Sequence, residues 1–272
     1  MIPAWDAQRR LRSQIYEPLL EAARSLENGP GEWPGLDDLN RLLQFAPAPI
    51  LTRSGKPLRF APQANDHYEQ RTYLTGEVQT RSKNWHDLFN ALVWRVFPKA
   101  KAIINHLHYQ ASLDTPQSAS GRGTARDVLT LFDESGVAIA CAQDELGEML
   151  RKRQWKALFW QHRSDLAEKM KFYIFGHSLY EKALHPYIGL TGKALILPVA
   201  PSFFSLPKAL QLAELDGMIA DYLSASGSLR ATSSLIPLPL LGVPGWWPDN
   251  GNVAFYENAR YFRPAQNQTA TS

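Results

Sequence analysis

The chain has 272 residues, enough for one large domain or two small ones, and its 44% hydrophobic and 20% charged residues are typical of a globular protein. A core of this size needs neither a metal nor a disulfide for stability, and the single cysteine, Cys141, excludes an internal disulfide. The net charge of +3 permits a nucleic-acid partner but supports one only weakly.

The N-terminal segment lacks the long apolar stretch of a secretory signal. No run reaches the roughly 18 to 20 apolar residues that a membrane span needs. We therefore expect a soluble, cytoplasmic protein without a membrane span, in keeping with its one cysteine.

The first predicted elements are helices. Residues 5–27 form an amphipathic pattern that Asn28-Gly29-Pro30 stops, and residues 36–45 form a second, shorter one. The clearest helical pattern is residues 83–97, with Ser82 as the expected N-cap and Pro98 as the expected end. Its apolar residues recur at helical spacing: Trp85, Leu88, Phe89, Leu92, Val93 and Val96.

Mixed elements are expected further along. Residues 127–142 (DVLTLF-DESG-VAIACA) predict a β-hairpin, because two apolar runs flank a polar turn that ends in glycine. Residues 143–172 return to helical spacing, residues 194–199 predict a buried strand, and residues 206–224 predict another helix.

The proline-rich stretch after residue 235 predicts an extended segment over the body of the protein, since proline removes donors and fixes φ. The fold class that follows is α+β. We expect a predominantly helical single domain over residues 1–264, with a β-hairpin, a few further strands and a disordered tail at 265–272.

Polar residues on the 83–97 helix form the first candidate constellation. At 100° per residue, His86 and Asn90 lie on the edge of the apolar face, one turn apart, whereas Asp87 points away from its centre. This pair predicts either a metal or substrate contact, or a polar pair that bridges neighbouring elements.

The second constellation is His177, Glu181 and His185, at spacing i, i+4, i+8. A histidine and a glutamate at i, i+4 can bind one divalent metal, or the carboxylate can orient the histidine. Pro186 places the helix end near His185, which makes His185 a doubtful third ligand.

Acidic residues around the predicted hairpin are the third constellation. Acidic groups at strand ends often hold the divalent ions of phosphoryl-transfer enzymes. Asp133 and Glu134 fit an ordinary hairpin turn better, whereas Asp127, beside Arg126, stays a candidate.

Near the C-terminus, aromatic residues alternate with Arg260 and Arg263, a pattern compatible with base stacking and phosphate binding or with the packing of an extended tail.

Four motifs appear in a characteristic order: NWHDLFNALVWRVFP, RDVLTLFDESGV, FGHSLYEKAL and PLPLLGVPGWWPDN with FYENARYFRP. Over about residues 60–264 the set resembles a proteobacterial family of uncharacterised proteins filed as domain of unknown function 3025. The resemblance implies no reaction or cofactor. It implies only a set of characteristic positions: Asn84, His86, Asp87, Asn90, Arg126, Asp127, His177, Glu181 and Lys182.

Two hypotheses remain. In the first, the protein is a metal-assisted hydrolase acting on a phosphoester. His86 or His177 would be the base or a ligand, and Glu181 and Asp127 would be ligands or would orient them. Asn90, Arg126 and Lys182 would bind substrate, and His177, Glu181 and Asp127 would be the candidate ligands of a divalent metal.

In the second hypothesis, the protein is a non-catalytic binding or scaffold module. Its polar residues form a fully paired structural network, and an exposed aromatic patch around Trp246 and Trp247 binds a partner.

Overall fold

The structure is a computed structural model that describes residues 11–26, 32–64, 67–113, 122–225 and 235–265. Its architecture is α+β: helices enclose a four-stranded and a two-stranded sheet. The α-helices are α1 Leu20–Arg24, α2 Leu36–Gln44, α3 Tyr68–Thr75, α4 Trp85–Val96, α5 Pro98–Leu113, α6 Arg122–Ser135, α7 Asp144–Arg151, α8 Arg163–Lys169, α9 His177–Lys182 and α10 Lys208–Ser224.

The larger sheet has the strand order β4-β3-β5-β6. Its strands are β3 Gly136–Cys141, β4 Met170–Ile174, β5 Thr191–Pro198 and β6 Ile236–Pro239. β3 pairs parallel with β5 and antiparallel with β4, and all its residues are buried. A strand buried on both faces is uniformly apolar, which explains the unbroken GVAIAC sequence.

The smaller sheet pairs β1 Arg59–Ala61 with β2 Glu77–Gln79 in parallel. Short 3-10 helices precede α1 at Gln14–Leu19 and follow β5 at Pro201–Ser205. No helix in the described ranges is long and apolar enough to cross a membrane.

Three predicted helices are confirmed, as α2, α4 and α10. The predicted N-cap of α4 was wrong. Asn84, not Ser82, is the N-cap, because its side chain accepts a hydrogen bond from the Asp87 amide. The predicted end at Pro98 is confirmed, because α4 stops before it and Phe97 is its C-cap. A second helix, α5, follows at once, which was not predicted. Pro98 is its first residue, since proline at the first helical position loses no intrahelical hydrogen bond.

The predicted hairpin at residues 127–142 was wrong. Its first half is the end of α6, and only its second half is a strand, β3. Val128, Leu129 and Phe132 are buried at i, i+1 and i+4, which is helical spacing. A Cβ at Gly136 would lie 2.4 Å from the Phe132 carbonyl oxygen, so glycine allows the chain to pass directly from helix to strand.

The segment 143–172 is less uniform than predicted. It contains α7, a π-helical turn at Ala157–Gln161 and α8, and it ends in β4. The periodic apolar residues Leu158, Phe159 and Leu166 are nevertheless buried.

The proline-rich segment does lie along the body. β6 is the edge strand of the larger sheet and pairs only with β5. Pro237 and Pro239 lack an amide hydrogen, and an edge strand tolerates them because only one of its sides pairs with another strand. Trp246 is only 8% exposed, so the exposed patch expected around it was wrong. The predicted first helix falls partly outside the described residues, as does nearly all of the tail 265–272.

Candidate metal centre

Helices α4 and α9 pack through a pair of aromatic rings. Phe89 and Tyr180 stack with their centroids 5.6 Å apart, and each lies three residues after a histidine. Residues three apart share one face of a helix, so His86 and His177 face each other one turn away. Their Nε2 atoms lie 3.1 Å apart.

The start of α4 is fixed by local hydrogen bonds. The N-cap Asn84 holds the Asp87 amide at 3.0 Å. The Asp87 carboxylate in turn binds the Arg81 guanidinium at 2.9 and 2.8 Å and the Arg81 amide at 2.7 Å. Asp87 therefore positions the helix turn that carries His86.

Glu134, in the last turn of α6, completes a triangle with the two histidines. Its Oε1 lies 3.9 Å from the His86 Nε2 and 3.6 Å from the His177 Nε2. One donor atom from each of the three residues thus lies within 4.8 Å of the other two.

A glycine brings Glu134 and His177 together. A Cβ on Gly176 would lie 2.5 Å from both the Glu134 carbonyl oxygen and the Ser135 amide nitrogen. The amides of Phe175 and Gly176 both donate to the Gly136 carbonyl at 2.9 Å. The end of α6 and the start of α9 therefore touch backbone to backbone, which only glycine allows.

The second ring nitrogen of each histidine faces a carboxylate. The His86 Nδ1 is 3.4 Å from the Glu181 Oε2, and the His177 Nδ1 is 3.8 Å from the Asp133 Oδ2. Histidines that bind a metal commonly have a carboxylate at their other nitrogen, which fixes the tautomer and orients the ring. The His177 Nδ1 is buried and makes no hydrogen bond within the described structure.

Asp133 is itself held by a buried cation. Lys101 Nζ, on a side chain only 4% exposed, contacts both Asp133 oxygens, at 2.6 and 2.8 Å. Burial acts to raise the pKa of Asp133, but the charge and the hydrogen bonds of Lys101 act against it, and the pKa is lowered overall. Asp133 is therefore ionised at neutral pH.

The two histidines differ in exposure. His177 is 4% exposed, and desolvation lowers its pKa to about 4, although the charge of Asp133 opposes this shift. His177 is therefore neutral at pH 7, the form that binds a metal. The side chains of His86 and Glu134 are 29% and 36% exposed, so solvent reaches the centre from their side.

These distances suit a divalent metal. Two nitrogens bound to a tetrahedral zinc ion at about 2.0 to 2.1 Å lie about 3.3 Å apart, close to the observed 3.1 Å. The partly exposed Glu134 side chain needs to move only by roughly half an ångström to complete the same geometry. Two histidines and one carboxylate bind zinc in hydrolases, and they also bind ferrous iron in oxygenases.

Comparison with known proteins now identifies the family. A family model described as "Protein of unknown function (DUF3025)" matches residues 58–266, well over half of the chain. The chain belongs to the DUF3025 family. No curated protein and no solved structure gives a significant match.

Of the residues predicted to form the site in this DUF3025 chain, His86, His177 and Glu181 come together as described. Asp127 does not join them. It is exposed on α6, six residues before Asp133, or about 9 Å along the helix axis. His185 is also exposed and lies beyond the end of α9.

The predicted substrate-binding residues occupy three different environments. Asn90 is 9% exposed and donates from Nδ2 to the Tyr68 hydroxyl at 3.0 Å, while its Oδ1 is buried without a partner in the described structure. Lys182 is exposed and next to Glu181 on α9. Arg126 is exposed on the part of α6 that precedes Asp127.

Three members of the centre were missed: Glu134, Asp133 and Lys101. The hairpin interpretation assigned Asp133 and Glu134 to a turn, although the helical spacing of Val128 and Phe132 would have placed both at the end of a helix. For Lys101, which lies in a helix that was not predicted, the sequence carries no such signal.

Proposed function

We propose that this protein binds one divalent transition metal through His86, His177 and Glu134 and uses it to hydrolyse its substrate. The observation that carries the proposal is the arrangement of the two imidazoles. Their Nε2 atoms converge at 3.1 Å, and their Nδ1 atoms face Glu181 and Asp133.

The reaction class follows from the number of ligands. Three protein ligands leave at least one coordination position for water, as in catalytic zinc sites. A metal held by His86, His177 and Glu134 would lower the pKa of water at that position to about 7, which is the chemistry that hydrolysis needs. The partial exposure of His86 and Glu134 gives water and substrate a route to that position.

In its finer form the proposal takes a phosphoester as substrate. We favour this substrate class because a bound divalent metal would polarise a phosphoryl oxygen of the ester. Lys182 is exposed, has no ion-pair partner among the described residues and follows Glu181 directly, so it is the residue we assign to the substrate anion. Arg126 is a more distant candidate, eight residues before Glu134 on α6.

The proposed metal site and the proposed reaction are tested separately, the first by metal binding and the second by hydrolysis. We expect purified protein to bind about one equivalent of Zn²⁺ or Mn²⁺ in calorimetry after chelation, and to hydrolyse bis-p-nitrophenyl phosphate. His177→Ala should lose both properties, whereas the matched control His185→Ala should keep both. A chelated wild type that binds neither ion would refute the site, and metal binding without hydrolysis would refute the reaction alone.

The alternative function is a non-catalytic module, and one observation favours it. Lys101 and Asp133 satisfy each other, and one imidazole can donate directly to the other at 3.1 Å, so part of the network is complete without a metal. In that case chelation leaves the stability of the protein unchanged, and His177→Ala lowers the stability without any change in metal content.

We further propose a cytoplasmic location and a proteobacterial source. The free, buried thiol of Cys141 supports a reducing compartment. The motif set that resembles a proteobacterial family supports the source.

A further inference from the structure

A second candidate site lies at the edge of the larger sheet, where three arginines line one cleft of about 340 Å³. Arg153 follows α7, and Arg260 and Arg263 belong to the C-terminal segment. Across the described residues, none of the three guanidinium groups pairs with a carboxylate, although Arg263 Nε donates to the Arg260 carbonyl at 3.1 Å. Clustered like charges without counterions repel each other and raise the positive potential of the cleft.

The remaining walls carry no charged side chain, and the Thr191 hydroxyl already donates to the Gly189 carbonyl at 2.9 Å. Trp155 uses its only donor on the Arg263 carbonyl, at 2.8 Å. The Tyr261 hydroxyl is bound on both sides, donating to Leu190 and accepting from the Leu241 amide. Pro237, on the edge strand, has no amide hydrogen to offer. Charge recognition in the cleft therefore comes from the guanidinium groups.

The backbone at Arg153 is a further sign that its side chain has a role. Its φ is +52°, in the left-handed region that favours glycine. It occupies the position after the C-cap of α7, where the following amide, of Gln154, donates to the Met149 carbonyl at 2.9 Å. Glycine is the usual residue at this point of such a helix end, so an arginine here costs stability.

We propose that this cleft binds a small phosphorylated ligand, with its phosphate on the guanidinium groups and an apolar portion against Pro237. Guanidinium groups match phosphate oxygens in two-point geometry. The volume is that of a small-molecule site. The proposal does not depend on the metal centre.

A nucleic acid is a poorer fit to the same region. Tyr256, Tyr261 and Phe262 are 5%, 7% and 6% exposed and pack against each other, so these rings are not free to stack on bases. What remains accessible is a partly open cationic cleft rather than an aromatic strip.

Calorimetry with inorganic pyrophosphate as the probe tests the proposal, in 150 mM salt with EDTA present so that the metal centre does not contribute. We expect saturable binding by the wild type. Arg260→Gln and Arg263→Gln should each weaken it about tenfold or more, the typical effect of a lost charge-assisted hydrogen bond. The matched control Arg151→Gln removes an exposed arginine that pairs with Glu148, and it should bind like the wild type.

Arg153→Gly separates binding from folding. Because glycine suits the left-handed backbone, the melting temperature should stay equal or rise, while pyrophosphate binding falls about tenfold or more. A wild type that does not bind pyrophosphate, or arginine variants that bind it as well as the wild type, would overturn the proposal. Equal affinity for succinate, or a preference for single-stranded DNA, would overturn it as well. His177→Ala should bind pyrophosphate normally, so the proposed phosphate site and the proposed metal site can each be refuted without the other.

Discussion

His86 and His177 are 91 positions apart in the chain, yet their Nε2 atoms lie 3.1 Å apart. Each precedes by three residues the ring through which its helix packs on the other helix, Phe89 in one and Tyr180 in the other. The aromatic contact does not involve the imidazole nitrogens, so it brings the two histidines together, with their rings inclined at 73°, whether or not a metal is bound. The centre is thus built on the packing of the core.

The first prediction concerns the carboxylate behind His86. Glu181→Gln keeps the size of the side chain but removes its charge, so it should weaken metal binding by about 10- to 100-fold without abolishing it. His185→Ala, on an exposed residue past the end of α9, is the control and should bind normally. Calorimetric titration with Zn²⁺ measures both, and a Glu181→Gln affinity equal to that of the wild type would remove Glu181 from the centre.

The second prediction is a pH dependence of stability in metal-free protein. Burial lowers the pKa of His177 to about 4, below its usual value of about 6.5. Between these values the unfolded chain binds more protons, so stability is lost as the pH falls through this window, by about 1.4 kcal/mol for each unit of pKa difference. The lowered pKa of Asp133 acts in the same direction, but only below about pH 4.

Urea unfolding at pH 7.5 and pH 5 in EDTA measures this dependence. His177→Asn should unfold with a smaller difference between the two pH values, while His185→Ala should match the wild type. An equal pH dependence in His177→Asn and the wild type would show that His177 does not titrate as its burial requires.

The sequence predicted one half of the centre better than the other. His86 could be placed because the stripe Trp85, Leu88, Phe89 has one dominant period, and that period put the histidine at the edge of the buried face. Glu134 could not, because an apolar run, a polar DESG stretch and a second apolar run fit a hairpin as well as a helix followed by a strand. The choice between them is made by tertiary packing.

Long-range pairing explains the rest of what the sequence did not reveal. Lys101 reaches Asp133 across 32 positions, and nothing local in either helix signals the partner. The parallel pairing of β3 with β5 likewise joins segments that are separated by the whole of β4 and α9. By contrast, α2 and α4 could be predicted, because each carries its own apolar residues at helical spacing and needs no distant partner to be recognised.

The third prediction concerns the buried ion pair. Lys101→Met should destabilise the protein by about 3 to 5 kcal/mol, because it leaves the Asp133 carboxylate without its cation. Adding Asp133→Asn should recover much of that loss, since the unpaired charge is then gone. Arg151→Gln breaks an exposed pair with Glu148 and should cost about 1 kcal/mol or less. The free energies of urea unfolding of these variants measure the effect. A double variant no more stable than Lys101→Met would show that the unpaired charge of Asp133 does not cause the loss.

The fourth prediction tests whether backbone contact, rather than side-chain chemistry alone, holds the centre together. Gly176→Ala places a Cβ 2.5 Å from the backbone of Glu134 and Ser135, so α6 and α9 must separate. We expect a loss of about 1 to 3 kcal/mol of stability and weaker metal binding, although no ligand is changed. Gly217→Ala, in α10 with no atom near the added methyl, should instead be neutral or stabilise the protein by up to about 1 kcal/mol. If Gly176→Ala folds and binds Zn²⁺ like the wild type, the spacing between Glu134 and His177 does not depend on the close approach of the two backbones.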